Sequence, residues 1–293
     1  MKLEINKKIV KGSFILLIAF GLFNFFNFMF QFFMARMLTV SEYGVLATLF
    51  AIIYILLIFS ESIQTIIVKY STNENDEGRL KGLLKKSSKK AFFISTILFI
   101  FYLVASIPLS FILKIDYMLL SFNGLIIFLS FFLPLTRGIM QGKEKFKSFG
   151  LNIILESGIK LSLGIFFVYL GWKIYGAISA LILGEGIAFF ISLISLKDII
   201  KSEEKRAETL GIYNYAKPAF IITFIIIIFY SLDVVLAKIF FSPEIAGSYA
   251  IASILGKVIL WGTLPISKVM FPISIENKKD KSKSENVLIN GLQ

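Results

Sequence analysis

Apolar residues along this chain come in long, nearly unbroken runs. They do not alternate as in a half-buried strand, nor recur every third to fourth position as on a surface helix. Eight runs reach the roughly 20 residues a helix needs to cross the hydrocarbon layer. They cover residues 13–34, 44–67, 91–113, 117–136, 148–170, 174–196, 216–241 and 245–270. Inside a bilayer, backbone N–H and C=O groups must bond within their own segment, so each run is expected to be a helix. Short turns, Thr39-Val40-Ser41-Glu42-Tyr43-Gly44 and Gly171-Trp172-Lys173, close helix pairs on one side, and longer charged loops join the pairs on the other. The first run carries Asn24, Asn27 and Gln31 and has no small-residue cleavage site behind a short apolar core. It therefore reads as a retained helix and not a signal peptide.

Composition strengthens the membrane reading. Of 293 residues, 57% are hydrophobic, 15% aromatic and only 17% charged, and the mean hydropathy is +0.81. A soluble domain carries about 25% charged residues, so this surface is built for lipid. The absence of Cys and His excludes disulfides, thiolate or imidazole metal sites, Cys nucleophiles and His bases. The net charge of +12 raises nucleic acid or anionic lipid as partners, and the distribution of the charge decides between them. Most of the 31 Lys and Arg residues precede the first run, follow the last, or lie between runs 2 and 3, 4 and 5, and 6 and 7. The opposite side has only Arg36, Lys114, Lys173 and Lys238. Basic residues mark the cytoplasmic side, so both termini are expected there, with an even number of spans. Topology then accounts for the charge without nucleic acid. Residues 1–12 suit an amphipathic helix on the inner membrane surface or a topogenic basic tail. Ser71 to Gly78 reads as a solvated turn, and 276–293 as a polar, disordered, basic tail.

Ionisable residues at membrane depth cost about 2.5–3.5 kcal/mol each on insertion scales, so they face a cavity or a partner. Asn24, Asn27 and Gln31 share one face of the first helix, as a cavity wall or as interhelical hydrogen-bonding groups. Glu156 and Lys160 stand four apart on the fifth, in the favourable order for a pair. Glu185 on the sixth and Lys257 on the eighth both fall near mid-membrane and suggest a pair across a cleft; Asp233 lies on the seventh, toward the outside. Gly176, Ala180 and Gly184 form a close-packing face, and Pro108, Pro134 and Pro265 sit inside runs. No loop has the Gly-x-x-x-x-Gly-Lys-Ser/Thr pattern, which argues against ATP hydrolysis by this chain. No enzyme chemistry and no cofactor are expected.

An internal repeat adds architecture. Gln31, Ala35-Arg36, Glu42 and Gly44 at the end of the first helix align with Asp233, Ala237-Lys238, Glu244 and Gly247 at the end of the seventh. Both helices would start inside, so the repeats would be related by an axis along the membrane normal. The expected organisation is all-α, a polytopic helix bundle of about eight spans. A six-helix lobe covers 13–200 and the first two helices of a second lobe cover 214–275.

Ala35-Arg36-Met37-Leu38 with Glu42-Tyr43-Gly44, Gln141-Gly142 with Phe146, Glu156 with Lys160, and Asp233 with Gly247-Ser248-Tyr249-Ala250 and Pro265 resemble the polysaccharide biosynthesis/oligosaccharide flippase family. That family includes the O-antigen flippases, within the MATE-like MOP exporter superfamily. Its members have 12 to 14 helices in two lobes, so on this resemblance the sequence is truncated after helix 8. The resemblance implies translocation of a lipid-linked oligosaccharide across the cytoplasmic membrane of a prokaryote by alternating access. Membrane lipid and lipid-linked glycan would be its partners, and a glycan polymerase or glycosyltransferase would work beside it. Asn24, Asn27, Gln31, Arg36, Lys160 and Lys257 would bind substrate, while Glu156, Glu185 and Asp233 would serve coupling or gating. Two alternatives remain: a cation-coupled multidrug antiporter of the same superfamily, and a truncated, non-transporting membrane scaffold.

Overall fold

The computed structural model of the chain describes residues 2–207 and 216–257. Regular structure among them is helical. The elements are α1 (Lys2–Met37), α2 (Val40–Asn73), α3 (Glu77–Leu113), α4 (Tyr117–Asn123), α5 (Ile126–Gly142), α6 (Phe146–Phe167), a π-helical stretch Val168–Trp172, α7 (Lys173–Ser195), α8 (Lys197–Lys201) and α9 (Ala216–Phe240). A further helix, α10, runs over 243–257. Residues 258–270 of the eighth expected span, with Pro265, and the tail 276–293 lie outside the described residues.

Three helix starts are specified by a capping side chain. The hydroxyl of Thr39 accepts from the Glu42 amide while the Glu42 carboxylate accepts from the Thr39 amide. This capping box satisfies two otherwise orphaned donors and starts α2 four residues before the apolar run. Asp76 caps α3 through the amides of Gly78 and Arg79, and Asp116 caps α4 through that of Leu119. Consequently α2 and α3 extend beyond their apolar runs, and the turn read at 71–78 contracts to 74–76.

Among the described residues, five helical segments are long and apolar enough to cross a membrane: Phe14–Met37, Val40–Asn73, Glu77–Leu113, Tyr117–Gly142 and Phe146–Ser195. The last, 50 residues long, is a hairpin of two helices. Gly171 adopts φ +88, a left-handed conformation that glycine enters without a Cβ penalty, and the chain reverses there. Contacts pair Lys145 with Ser195, Asn152 with Ala188, and Gly164 with Ala180, which is antiparallel register. Gly184 lies against the backbone of Glu156 and Lys160, and Gly176 against Phe167, so the small-residue face of α7 does pack closely.

Two expectations need correction. The run 117–136 is two helices, α4 and α5, because the chain breaks at Gly124 and Leu125. The second of them continues to Gly142, so Arg137 and Gln141-Gly142 are helical and not in a loop. Counting 20 residues per span placed the boundary too early. Pro108 and Pro134 lie inside α3 and α5.

Polar contacts sort the turns into two ends. Lys143 Nζ donates to the Glu74 carbonyl (2.9 Å), Lys145 Nζ to that of Ser195 (3.2 Å) and Lys81 Nζ to that of Ser202 (2.8 Å). These join the Lys-rich turns at one end. At the other, Lys173 pairs with Glu42 (2.9 Å) and the Tyr175 hydroxyl donates to Asp116 (3.4 Å). The alternation is what successive crossings produce. Two buried cores correspond to the two ends, one around Phe30, Tyr43, Leu46 and Leu120, the other around Leu80, Leu83, Phe131 and Phe149. Phe93, Phe101, Phe111, Tyr169 and Phe190 stay exposed on the outer faces, as expected where lipid is the solvent.

Candidate functional site

The unusual charges fall into two groups. The first lies among α1, α5, α6 and α7. Arg137 on α5 pairs with the Glu156 carboxylate on α6 through Nη2, and its Nε donates to Asn152 Oδ1 at 2.8 Å. Asn152 passes the chain to α7 by donating to the Ala188 carbonyl at 2.7 Å. Lys160, also on α6, donates to Asn27 Oδ1 on α1, and its ammonium stands 5.1 Å from the centre of the Phe30 ring. Glu185 on α7 lies in the field of Glu156, Arg137 and Lys160. Glu156, Lys160 and Glu185 are 7–8% exposed. Two cations and two anions make the cluster formally neutral. The Arg137–Glu156 pair, hydrogen-bonded onward to Asn152, is how charges so deep are sustained.

The second group reaches, through Lys257, a cleft bounded by α1, α2, α9 and α10. Asp233 on α9 holds Lys257 on α10 through both carboxylate oxygens, at 2.9 and 3.0 Å. It also accepts from Ser253 at 2.8 Å and Tyr249 at 3.3 Å. Lys257 lies 4.6 Å from the centre of the Tyr230 ring. From the other side come Gln31, whose Oε1 accepts from the Tyr43 hydroxyl at 3.2 Å, and Tyr54. The rings of Tyr54 and Tyr230 meet edge to face at 5.5 Å. Ser231 lines the same cleft, buried, and its hydroxyl has no partner among the described residues.

This arrangement revises the pairings expected from spacing. Glu156 bonds Arg137 and Lys160 bonds Asn27, although Glu156 and Lys160 do share a cluster. The Glu185–Lys257 pair does not form, because Glu185 lies in the first cluster and Lys257 is taken by Asp233. Asn27 and Gln31 leave their common stripe toward different neighbours, α6 and α2. Asn24 is half-buried on α1. Arg36 is exposed near the end of α1, 5.3 Å from the Phe32 ring centre, and is not in the lining of the cleft. The cleft lining therefore includes Gln31 and Lys257, with Asp233 bonded to Lys257, while Asn27, Glu156, Lys160 and Glu185 gather in the first cluster.

Sequence reasoning missed Arg137, Asn152, Tyr54, Tyr230 and Ser231. For Arg137 a signal existed: Ile139 and Met140 continue the apolar run beyond it. The tyrosines and serine carry no charge and so stand out against no insertion penalty.

A family model described as "Polysaccharide biosynthesis protein" matches residues 33–293. The chain belongs to this family. No curated protein sequence matches it. Among solved structures, the polysaccharide biosynthesis chain is similar to a MATE protein in complex with MaD5, at 15% identity and TM-score 0.72, over 97% of this chain and 69% of that one. It is similar to the MATE multidrug transporter DinF-BH, at 14% identity and TM-score 0.69, over 97% and 69%. A MOP superfamily transporter from Pyrococcus furiosus, described as having a binding pocket of reverse polarity, gives 15% identity and TM-score 0.68, over 97% and 68%. At such identities the likeness establishes the fold. This member of the polysaccharide biosynthesis family is a multi-pass membrane protein with the MATE transporter fold.

Proposed function

We propose that this protein is a membrane transporter that moves a lipid-linked oligosaccharide or polysaccharide precursor across the membrane by alternating access. The observation that carries the substrate class is the polysaccharide biosynthesis family match over 33–293. The cleft supports the mechanism, since it lies where helices from the two aligned segments meet and opens between them. Lys257 supplies a cation for the pyrophosphate, and Gln31, Tyr54 and Ser231 offer hydrogen bonds to sugar or phosphate oxygens. The lipid tail stays in the bilayer. Asn24, Asn27 and Arg36 would act at the margins of the path. The cluster of Glu156, Lys160 and Glu185 serves coupling or gating, because a neutral set of four charges can be re-paired without exposing a net charge to lipid. The cytoplasmic membrane, with the Lys-rich end inside, is the expected location.

Deleting the gene should abolish surface glycan and leave its lipid-linked precursor facing the cytoplasm. Normal glycan display in a strain with no paralogue would overturn the reading. Drug-dependent proton or sodium flux in vesicles, with unchanged glycan display, would point instead to a multidrug antiporter.

A further inference from the structure

The two sides of the cleft come from the two segments that align in sequence. Asp233 follows Gln31 by 202 positions, and Lys257 follows Tyr54 by 203, the offset that also relates Gly44 to Gly247. Gly44 and Gly247 touch: a Cβ on Gly44 would come within 3.0 Å of the Gly247 nitrogen and Cα. The aligned glycines thus bring the start of α2 against the start of α10. Gln31 and Tyr54 line the cleft from α1 and α2, and Lys257 lines it from α10, where its ammonium is bonded to the Asp233 carboxylate. Among the described residues of the lining Lys257 is the charged one, and a carboxylate of the protein already occupies its ammonium.

We propose that Asp233 is an internal stand-in for the anionic group of the transported molecule, released from Lys257 when a phosphate or pyrophosphate enters. This rests on the transport reading above and specifies how its cleft takes the charged part of its substrate. Three features make the exchange feasible. Asp233 has a second set of donors, Ser253 and Tyr249, so its carboxylate is not left bare when Lys257 turns away. Lys257 is braced over the Tyr230 ring, which holds its ammonium at the cleft after the carboxylate leaves. The buried Ser231 hydroxyl, on the same cleft and unpartnered among the described residues, offers a donor that a phosphate oxygen would satisfy. In the empty protein the stand-in keeps a half-buried cation from being uncompensated. The cost is affinity, because a ligand binds only to the fraction of molecules whose lysine is free.

The test uses the full chain in nanodiscs, titrated calorimetrically with inorganic pyrophosphate and separately with a polyprenyl pyrophosphate carried in the disc. Asp233→Asn should tighten pyrophosphate binding about tenfold, as for a lysine free in about a tenth of wild-type molecules. Lys257→Gln should abolish it in both backgrounds. Ser253→Ala with Tyr249→Phe should weaken it several-fold by removing the fallback donors, and this variant keeps the proposal testable if Asp233→Asn fails to fold. Comparable gains with both probes assign the site to the phosphate group alone; a gain with the lipid alone assigns it to the anchored headgroup. Lys257-dependent binding that Asp233→Asn leaves unchanged or weakens would overturn the stand-in while leaving the transport reading intact. Failure of wild type and Asp233→Asn to bind either probe would refute the anion site itself.

Discussion

A guanidinium inside a helix bundle persists because its charge and its donors are both taken up, and Arg137 has Glu156 for the first and Asn152 for the second. Removing one partner of such a pair leaves the other charge buried. Arg137→Ala should therefore cost about 3–5 kcal/mol, whereas Arg137→Met combined with Glu156→Leu should recover most of the loss by replacing the pair with packed apolar groups. Thermal unfolding of the purified protein in detergent checks both; equal melting temperatures for Arg137→Ala and wild type would contradict the pairing. Residues of this kind were only partly legible in the sequence. Buried charges announce themselves by their insertion cost, which singled out Glu156, Lys160, Glu185, Asp233 and Lys257. Their partners depend on which helices pack together and at what height, and local spacing does not contain that. Hence Glu156 and Lys160, four apart on one face, bond different helices, and Lys257 finds Asp233 on its neighbouring helix.

Among elements, the α6–α7 hairpin shows how close approach is set by absent side chains. A Cβ at Gly184 would lie 3.1 Å from the Glu156 carbonyl oxygen and 3.2 Å from the Lys160 Cβ, while at Gly186 it would meet nothing within 4 Å. Gly184→Val should destabilise by about 1–3 kcal/mol through overpacking. Gly186→Ala, two residues along the same helix, should be neutral or stabilising by about 0.5–1 kcal/mol. Matching unfolding midpoints for the two variants would refute this account of the packing. This face was legible because small residues recurring every four positions have few other uses in a membrane helix.

The segment after α8 was not legible. The Lys205 amide donates to the Gly78 carbonyl at 3.0 Å, and Lys205 and Lys85 pair with Asp76 and Glu204. This ties the segment after α8 to the start of α3. The Lys205 ammonium bonded to Asp76 holds that carboxyl below its usual range, and Lys85 does the same for Glu204. Carboxyls depressed in the folded state contribute stability above their unfolded pKa, near 4, and lose it as pH falls through the lower folded value. Below about pH 4 the Lys205 amide should lose protection in hydrogen exchange, after correction for the intrinsic rate. Protection that stays constant from about pH 6 to about pH 3 would show that these pairs do not hold the segment.

For the whole molecule, helix content, membrane class and the Lys-rich end followed from hydrophobic run length and charge distribution, because lipid imposes both. Exact crossings were harder: capping residues lengthened α2 and α3, and Gly124 with Leu125 divided a run that looks continuous. The contact of Gly44 with Gly247 joins the two aligned segments at the end opposite the Lys-rich loops. A state open at that end must separate them. Gly247→Leu, whose side chain would enter the Val40 backbone, should favour that open state, raising the labelling rate of a cysteine placed at Ser231 by a reagent added from that side. An unchanged rate would place the moving contact elsewhere.

Translocation of a lipid-linked glycan through the cleft at Lys257 is read most directly in vesicles. The full chain is reconstituted with a fluorescent lipid-linked oligosaccharide, and protection of the glycan from an impermeant quencher is followed over time. Protein-dependent exchange between leaflets, reduced at least tenfold by Lys257→Gln, is the expected result. Exchange no faster than in protein-free vesicles, or equal exchange with Lys257→Gln, would contradict transport through this cleft.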